Sequence, residues 1–392
     1  MKKSILSKLS YSVVSATLLA GLLSGCGAKG TGGTGDVIKI GVNLELSGAV
    51  ASYGQSIAEG IDLGVEEINK NGGVDGKKIE LIKIDNKSDA AEATNAAIKL
   101  TSQDKVTAII GAATSGNTKA QVQIASDNKT VLLTPSGTST DLTGTDGSVL
   151  DYIFRTCFID PFQGSVAANF AATKLNVKKA AIFGDSANDY AKGLATSFKE
   201  TFAAAGGTIV AEEAYASKDT DFRATLTRIK AANPEFVFIP GYYEEVGLII
   251  KQAREMGITV PFMGGDGWDS PKLVELAGAD ALNNTFITNH YSSGDPDEKI
   301  QKFVTAFKGK FNDKSPDAFN ALGYDSIYLL SDSIKRAGST DGEKIKDAMA
   351  QTKDLALISG TFKFDEMHNP IKTATVLEYK DGKQVFNTKV NP

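Results

Sequence analysis

Two short loops place hydroxyl groups where they could hold an anion. The first loop, residues 114–118 (TSGNT), follows the apolar run VTAIIG and opens a segment with helical character. Unpaired backbone N–H groups at a helix start favour negative charge, and the Ser115 hydroxyl can add to them. This loop therefore predicts a binding site for a carboxylate. The alternative is that Ser115 only caps the helix.

The second loop, residues 134–138 (TPSGT), follows the apolar run VLL. Its proline and glycine turn the chain sharply, so backbone groups are exposed beside the hydroxyls of Ser136 and Thr138. The alternative is a turn that is simply rich in small polar residues. Ser136 does not resemble a nucleophile, because no G-x-S-x-G elbow surrounds it and no histidine lies nearby in the sequence.

A carboxylate stands at a third loop, in the stretch FMGGDGWD. Asp266 lies between Gly265 and Gly267 at the end of a predicted strand, where it could meet the ammonium group of a ligand. We expect Asp269, three residues further on, to be a surface or helix-capping acid.

Metal, redox and nucleic-acid functions find little support in the sequence. Its two cysteines and two histidines form no cluster with metal-ligand spacing, and no phosphate-binding G-x-x-x-x-G-K-[ST] motif occurs. The net charge is −5 without a basic block beyond the N-terminus, which argues against nucleic acid. We expect no cofactor, a buried apolar role for Cys157, and surface or loop positions for His290 and His368.

The elements that must position these loops alternate between short apolar runs and amphipathic segments. From residue 37 to 134, and again from 180 to 264, strand–helix–strand units predict parallel sheets with helices on both faces. Two such runs, separated near residues 145–160, indicate two α/β lobes. Three helices follow residue 289, and two late strands (residues 373–379 and 384–387) are predicted to pair, so the chain should re-enter both lobes.

The N-terminus has the layout of a secretory signal, with Lys2, Lys3 and Lys8 before the uncharged run 9–23. This run is shorter than the roughly 20 apolar residues that a membrane-spanning helix needs. The residues Leu23-Ser24-Gly25-Cys26 resemble a bacterial lipobox, which implies a signal peptide of residues 1–25 and a lipid on Cys26. An ordinary signal peptide with an incidental cysteine is the alternative. The glycine-rich residues 27–36 then predict a flexible tether on the outer face of the cytoplasmic membrane.

From residue 37 to about 387, the chain resembles type I periplasmic substrate-binding proteins of the leucine/isoleucine/valine-binding family. The matching stretches are SYGQSIAEGIDLGVEEINKNGGVDGKKIEL, AIIGAATSGNT, LLTPSGTSTDLT, IFRT, ANDYAKG, GYYEEVGLIIKQAREMG and FMGGDGW. The resemblance implies two doubly wound parallel-sheet lobes joined by three crossover segments near residues 155–160, 288–292 and 356–361. The N-terminal lobe would comprise residues 37–157 plus 291–358, and the C-terminal lobe residues 158–290 plus 359–392.

The same resemblance implies a receptor rather than an enzyme. Such a receptor, a monomer, binds an aliphatic, branched-chain L-amino acid between its lobes and delivers it to the membrane permease of an ABC importer. Two alternatives stay open: a sensor of the same fold for another small ligand (an aromatic amino acid, an amide or urea), and an exported hydrolase.

Residue roles follow from the family positions that this sequence matches. Ser115 aligns with a serine that binds the ligand carboxylate, whereas Ser136 and Thr138 align with positions that contact its carboxylate and ammonium. Asp266 stands where the family usually has glutamate, which shortens its reach by one methylene.

The family also places aromatic residues around the ligand. Tyr190 and Tyr242 align with tyrosines that close over the amino acid, although each could instead be a residue at the edge of the core. Tyr53 aligns with an aromatic residue against the ligand side chain. Trp268 is a further candidate, with a surface or hinge-packing ring as the alternative. Binding would then proceed by hinge closure, as Tyr190, Tyr242 and Asp266 swing onto the ligand.

Overall fold

The computed structural model describes residues 37–145 and 147–391. The predicted signal peptide, the lipidation of Cys26 and the tether lie outside these residues. Within the described part, no helix combines the length and the apolar character needed to cross a bilayer.

The first part of the chain alternates strands and helices up to residue 155. Its elements are β1 (Ile38–Leu44), α1 (Ala51–Lys70), β2 (Ile79–Asp85), α2 (Ala90–Ile98), β3 (Ala108–Gly111), α3 (Ser115–Asp127), β4 (Val131–Thr134), β5 (Gly144–Thr145), β6 (Ser148–Val149) and β7 (Ile153–Arg155). The middle part continues the alternation. It contains α4 (Asp160–Asn169), β8 (Lys179–Asp185), α5 (Asp189–Ala204), β9 (Thr208–Tyr215), α6 (Arg223–Ala231), β10 (Phe236–Phe238), α7 (Tyr243–Glu255), β11 (Phe262–Gly264), α8 (Pro271–Ala277) and β12 (Thr285–Asn289).

The last part contains three helices and then four strands. They are α9 (Glu298–Lys310), α10 (Ala318–Ala337), α11 (Gly342–Ala350), β13 (Leu355–Leu357), β14 (Gly360–Phe362), β15 (Ala374–Lys380) and β16 (Lys383–Val390). Helices α9 and α10 pack against α1, whereas β15 and β16 join the sheet of the middle part. The prediction that the chain re-enters both lobes is therefore confirmed, as is the antiparallel pairing of β15 with β16.

Two sheets form the centres of two lobes. The N-terminal lobe is built on a five-stranded parallel sheet in the order β2-β1-β3-β4-β7. The C-terminal lobe is built on a seven-stranded sheet in which the parallel strands β9-β8-β10-β11-β12 are extended by antiparallel β15 and β16. The parallel strands of both sheets thus follow the same 2-1-3-4-5 order of a doubly wound fold. The predicted fold class is confirmed, and the domain boundaries stay a prediction.

The strand order also locates the crevices in which ligands bind. In a doubly wound sheet, a crevice opens beyond the carboxyl ends of the strands where the strand order reverses. These switch points lie between β1 and β3 in one sheet and between β8 and β10 in the other. Loops that follow these four strands are therefore expected to meet a ligand.

Helices α1 and α10 approach each other closely over the N-terminal sheet. A Cβ atom at Gly60 would lie 2.0 Å from the carbonyl oxygen of Asn320, and one at Gly323 would lie 2.3 Å from that of Ile57. Only glycine leaves enough room at these two positions. The contact fixes the N-terminal halves of both helices side by side, and the first turn of each helix contributes a ring to the interlobe cleft, Tyr53 from α1 and Phe319 from α10.

Candidate functional site

Loops from both lobes converge on a small cavity at the two switch points. Its volume is about 10 Å³, which is about enough for one water molecule. Six of the eight predicted ligand-binding residues line it, together with Ala113, Thr114, Gly267 and Phe319. These six are Tyr53, Ser115, Ser136, Tyr190, Tyr242 and Asp266.

The other two predicted residues lie away from the cavity lining. Thr138 is fully buried, and its carbonyl oxygen accepts a hydrogen bond from the backbone amide of Asp160 at 3.0 Å. Trp268 is also fully buried, and its indole Nε1–H donates to the carbonyl oxygen of Ile239 at 3.0 Å. The tryptophan belongs to the core of the C-terminal lobe.

Glu45, which follows β1, fixes the Ser115 loop through hydrogen bonds. The buried Glu45 carboxylate accepts hydrogen bonds from the backbone amides of Ala113 (2.9 Å) and Thr114 (3.0 Å), from the Thr114 hydroxyl (2.8 Å) and from Nδ2 of Asn117 (2.9 Å). Ser115 opens α3 but does not cap it, since its Oγ accepts from the Ser139 amide instead. Our sequence reasoning missed Glu45, although its place after a strand at a switch point could have indicated it.

The Ser136 loop depends on a buried arginine. The Ser136 hydroxyl donates to the carbonyl oxygen of Ala113 at 2.7 Å, which joins the two loops. Arg155 donates from Nη1 to the carbonyl of Gly137 and from Nη2 to that of Ser139, both at 2.8 Å. Burial lowers the pKa of Arg155. This role could not be predicted from the sequence, because the carbonyl groups that the guanidinium binds come from a separate loop.

On the opposite side, Asp266 presents a carboxylate that is only 3% exposed. It begins a short 3₁₀ turn, Asp266–Trp268, directly after β11. The Tyr190 hydroxyl donates to Oδ1 at 2.8 Å, and Nε2 of His290 lies 2.9 Å from Oδ2. The Asp266 backbone amide donates to Oε1 of Gln163 at 3.2 Å.

The expected loop position is confirmed for both histidines, but neither of them lies at the surface. His290 and His368 lie in loops, but they are 3% and 8% exposed. His290 stacks on Phe158 with ring centroids 3.7 Å apart, and burial lowers its pKa to about 4. His368 stacks on Phe154, and its Nδ1 contacts the carbonyl oxygen of Ile153 at 3.0 Å. Each ring fills space in the interior, which two isolated histidines in a sequence do not reveal.

Aromatic rings form the walls of the cavity. Tyr53 stacks on Phe319 with ring centroids 4.4 Å apart, and Tyr190 stacks on Tyr242 at 5.3 Å. Tyr53 also meets Tyr242 edge to face at 5.7 Å. Burial raises the pKa values of Tyr53 and Tyr190 well above the ordinary value, so both phenols keep their protons at neutral pH and act as donors. Phe319 is the lining residue for which the sequence offered no signal.

Hydrogen bonds span the cleft between the lobes. The Tyr53 hydroxyl donates to the carbonyl oxygen of Gly267, and the Ser52 and Ser270 hydroxyls lie 2.7 Å apart. The Tyr243 hydroxyl donates to the carbonyl oxygen of Ala49 at 3.0 Å. These bonds and the small cavity volume describe a closed arrangement of the lobes.

The chemistry of this arrangement suits a small zwitterion. Hydroxyl groups stand on one side, a carboxylate stands on the other, and four aromatic rings lie between them. Across residues 37–145 and 147–391, no group of three or more His, Cys, Asp or Glu side chains could hold a metal ion. The hydrogen-bond partners of the two site serines are backbone groups: Ser136 Oγ donates to the carbonyl oxygen of Ala113, and Ser115 Oγ accepts from the Ser139 amide.

Comparison with solved structures reveals close similarity over nearly the whole chain. The substrate-binding protein LivJ of the branched-chain amino acid transporter of Streptococcus pneumoniae, solved in complex with isoleucine, is 41% identical with a TM-score of 0.86. The similarity covers 91% of this chain and 100% of that one. The leucine-binding protein LivK of Thermotoga maritima is 37% identical with a TM-score of 0.85, and the coverage is 91% and 99%.

Sequence comparison agrees with the structural comparison. The leucine-, isoleucine-, valine-, threonine-, and alanine-binding protein of Pseudomonas aeruginosa is 31% identical over 355 residues, which are 91% of this chain and 92% of that protein. The sequence profile of the periplasmic binding proteins matches residues 37–384. The chain therefore belongs to the periplasmic binding protein family, whose members bind substrates for transport.

Proposed function

We propose that this protein binds a branched-chain L-amino acid between its two lobes and delivers it to the membrane permease of an ABC importer. One observation carries the proposal: a single interlobe cavity joins the Ser115 and Ser136 hydroxyls of one lobe to the Asp266 carboxylate of the other. Relatives that bind leucine, isoleucine or valine support the choice of ligand.

Each end of the amino acid would meet a group of complementary charge or polarity. Ser115 and Ser136 would bind the ligand carboxylate. Thr138 would stabilise the loop that carries Ser136. Asp266 would receive the ligand ammonium. Burying a charge costs several kcal/mol per ion unless it is paired, so the polar groups at both ends must act together.

The rings would enclose the ligand side chain. Tyr53 would contact it from the N-terminal lobe, while Tyr190 and Tyr242 would cover the ligand from the C-terminal lobe. Trp268 would support the turn that carries Asp266 from within the core. A cavity of about 10 Å³ is too small for an amino acid, so the lobes must part and the rings must move before a ligand enters.

The four rings around the cavity favour one second candidate, a sensor or carrier for an aromatic amino acid.

One methylene group in an apolar pocket is worth only about 1–3 kcal/mol of binding free energy, so the affinities for leucine, isoleucine and valine need not differ sharply.

The anchoring and domain organisation complete the proposal. Cys26 would carry the lipid that holds the protein, as a monomer, on the outer face of the cytoplasmic membrane. The proposed boundaries at 157/158 and 290/291 fall between β7 and α4 and between β12 and α9. The third proposed boundary, at 358/359, falls between β13 and β14, which pair with each other.

A thermal-shift screen tests the ligand class. The panel contains the twenty amino acids together with amides, urea and small organic acids, followed by calorimetry on each compound that raises the melting temperature. A ligand at 100 times its Kd stabilises the folded state by about 2.7 kcal/mol, which gives a clear shift. We expect leucine, isoleucine and valine to give the largest shifts. If no amino acid raises the melting temperature, the proposed function is wrong; a response only to aromatic amino acids would select the second candidate.

A further inference from the structure

His290 lies beside the site, on a segment where the chain passes from one lobe to the other. It directly follows β12, the last parallel strand of the C-terminal sheet, and the chain then continues to α9, which packs on α1 in the N-terminal lobe. Its ring stacks on Phe158, which lies in another connection between the lobes, the one between β7 and α4. The side chain therefore lies where two interlobe connections meet.

The hydrogen bonding of the ring has one favourable arrangement. Nε2 lies 2.9 Å from Oδ2 of Asp266, whereas Nδ1 is buried and has no hydrogen-bond partner among the described residues. A proton on Nε2 satisfies a bond to the carboxylate, but a proton on Nδ1 would leave a buried donor unpaired. Neutral His290 protonated at Nε2 is thus the favoured form.

Both oxygens of the Asp266 carboxylate therefore accept a hydrogen bond. Tyr190 donates to Oδ1 and His290 to Oδ2, and a carboxylate has about four acceptor positions in all. Two bonds to different oxygens fix the plane of the group and leave its remaining lone pairs for a ligand. Because aspartate has only one methylene, its carboxylate cannot adjust its reach by bending as a longer side chain could.

We propose that His290 is a positioning residue for ligand binding: its Nε2–H orients the Asp266 carboxylate that receives the ligand ammonium. This inference rests on the proposed function of the site. His290 itself lies outside the cavity lining and acts through Asp266.

Two substitutions separate the hydrogen bond from the packing of the ring. His290→Phe keeps a ring against Phe158 but removes the donor, whereas His290→Gln keeps an N–H donor at a similar reach and removes the ring. Calorimetry with leucine, isoleucine and valine should show an affinity loss of roughly 10-fold to 100-fold for His290→Phe, the range for a hydrogen bond to a charged group. His290→Gln should recover most of that loss.

His368→Phe is the matched control, because His368 is likewise buried in a loop and stacked on a phenylalanine but does not contact Asp266. It should bind within about twofold of the parent protein. In an Asp266→Asn background, His290→Phe should add less than about twofold, since residues that act through one contact are not additive. Each variant is first checked for a native melting curve.

The outcomes distinguish this inference from the proposed function. A parent protein that binds no amino acid overturns the proposed function itself. If the parent protein binds an amino acid and His290→Phe binds it with an affinity within twofold of the parent's, only the role of His290 is overturned. A loss in His290→Gln as large as that in His290→Phe would show that restoring an N–H donor does not restore binding, and it would also overturn the role of His290. Nitrogen-15 NMR of the parent needs no variant: protonation at Nε2 supports the inference, and protonation at Nδ1 contradicts it.

Discussion

The Asp269 carboxylate of the C-terminal lobe accepts a hydrogen bond from the backbone amide of Ala318, the first residue of α10 on the N-terminal lobe, at 2.9 Å. Its two oxygens also accept from Nδ2 of Asn289 (2.9 Å) and Nε2 of Gln384 (2.5 Å), both within its own lobe. Of the two expected roles, surface acid and helix-capping acid, Asp269 has the second, because it is only 3% exposed and binds the first backbone amide of α10. A negative charge at a helix N-terminus is stabilising, so this bond favours the closed lobes.

Replacing Asp269 by Ala should therefore weaken amino-acid binding without touching the ligand. The change leaves the Ala318 amide without its acceptor in the closed form, and an unpaired buried donor costs about 1–3 kcal/mol. We expect an affinity loss of about 5-fold to 150-fold by calorimetry. Binding at parental affinity would mean that the Asp269–Ala318 bond contributes nothing to closure.

Replacing Asp266 by Asn should have a larger effect on the same measurement. The variant keeps the size of the side chain but loses the charge that pairs with the ligand ammonium. Removing one partner of a buried charge pair costs roughly 3–5 kcal/mol, or about two to three and a half decades of affinity. Asp280→Asn, an exposed position in the same lobe, is the control and should bind normally. If Asp266→Asn binds the ligand with an affinity within threefold of the parent's, Asp266 does not pair with the ammonium and serves only in the turn.

The Asp269–Asp317 pair predicts a pH dependence of stability. Burial, followed by the charge of Asp269, raises the pKa of Asp317 to about 7. A carboxyl whose folded-state pKa is raised contributes stability that is fully present below its unfolded pKa, near 4, and is lost as the pH rises through about 7. The free energy of unfolding should accordingly fall between pH 5 and pH 8, by at most about 1.4 kcal/mol per pH unit for one proton.

Asp317→Asn tests this contribution, because asparagine also caps helices but does not titrate. Isothermal denaturation at pH 5, 6, 7 and 8 should give a flatter profile for the variant than for the parent protein. Parallel profiles would show that Asp317 titrates at an ordinary pKa.

The contact between α1 and α10 predicts that Gly60→Ala is strongly destabilising. The new Cβ would lie 2.0 Å from the Asn320 carbonyl oxygen, so the two helices must separate. Overpacking of this kind costs typically about 1–3 kcal/mol. Gly309→Ala in α9 is the control, since no atom lies within 4 Å of its added Cβ. It should be neutral or stabilising by up to about 1 kcal/mol, and a thermal melt that ranks the variants the other way would contradict the packing described for α1 and α10.

Small-angle scattering tests the closure of the lobes directly. Ligand binding should reduce the radius of gyration, because the cavity can be entered only when the lobes part. An unchanged radius at saturating ligand would remove hinge closure from the mechanism.

The alternation of strands and helices was predictable because buried parallel strands are nearly continuous apolar runs. Strand β7 was missed because IFR is only three residues long. Helix α4 was missed because its small and polar residues follow no single apolar stripe. Both elements lie in residues 145–160 or directly after them, the part of the chain that was predicted only as a separation between lobes.

The site was predictable where position along a strand decides it. Ser115 and Ser136 follow β3 and β4, and strand ends of a parallel sheet meet at one edge. Glu45, Arg155 and His290 could not be paired with their partners, because each contact joins two segments that lie 18 or more residues apart in the sequence. Local geometry decides the rest: one 3₁₀ turn directs Asp266 toward the cavity and Trp268 into the core.

The one-water cavity also constrains how fast ligand can exchange. Since the closed arrangement offers no room for an amino acid, only molecules with parted lobes are competent to bind. The observed association rate is then the intrinsic rate multiplied by the open fraction, and it saturates at the opening rate when ligand is abundant. Dissociation is gated in the same way, so substitutions that loosen the cleft, such as Asp269→Ala, should shorten the residence time of the ligand before they alter its chemical selectivity.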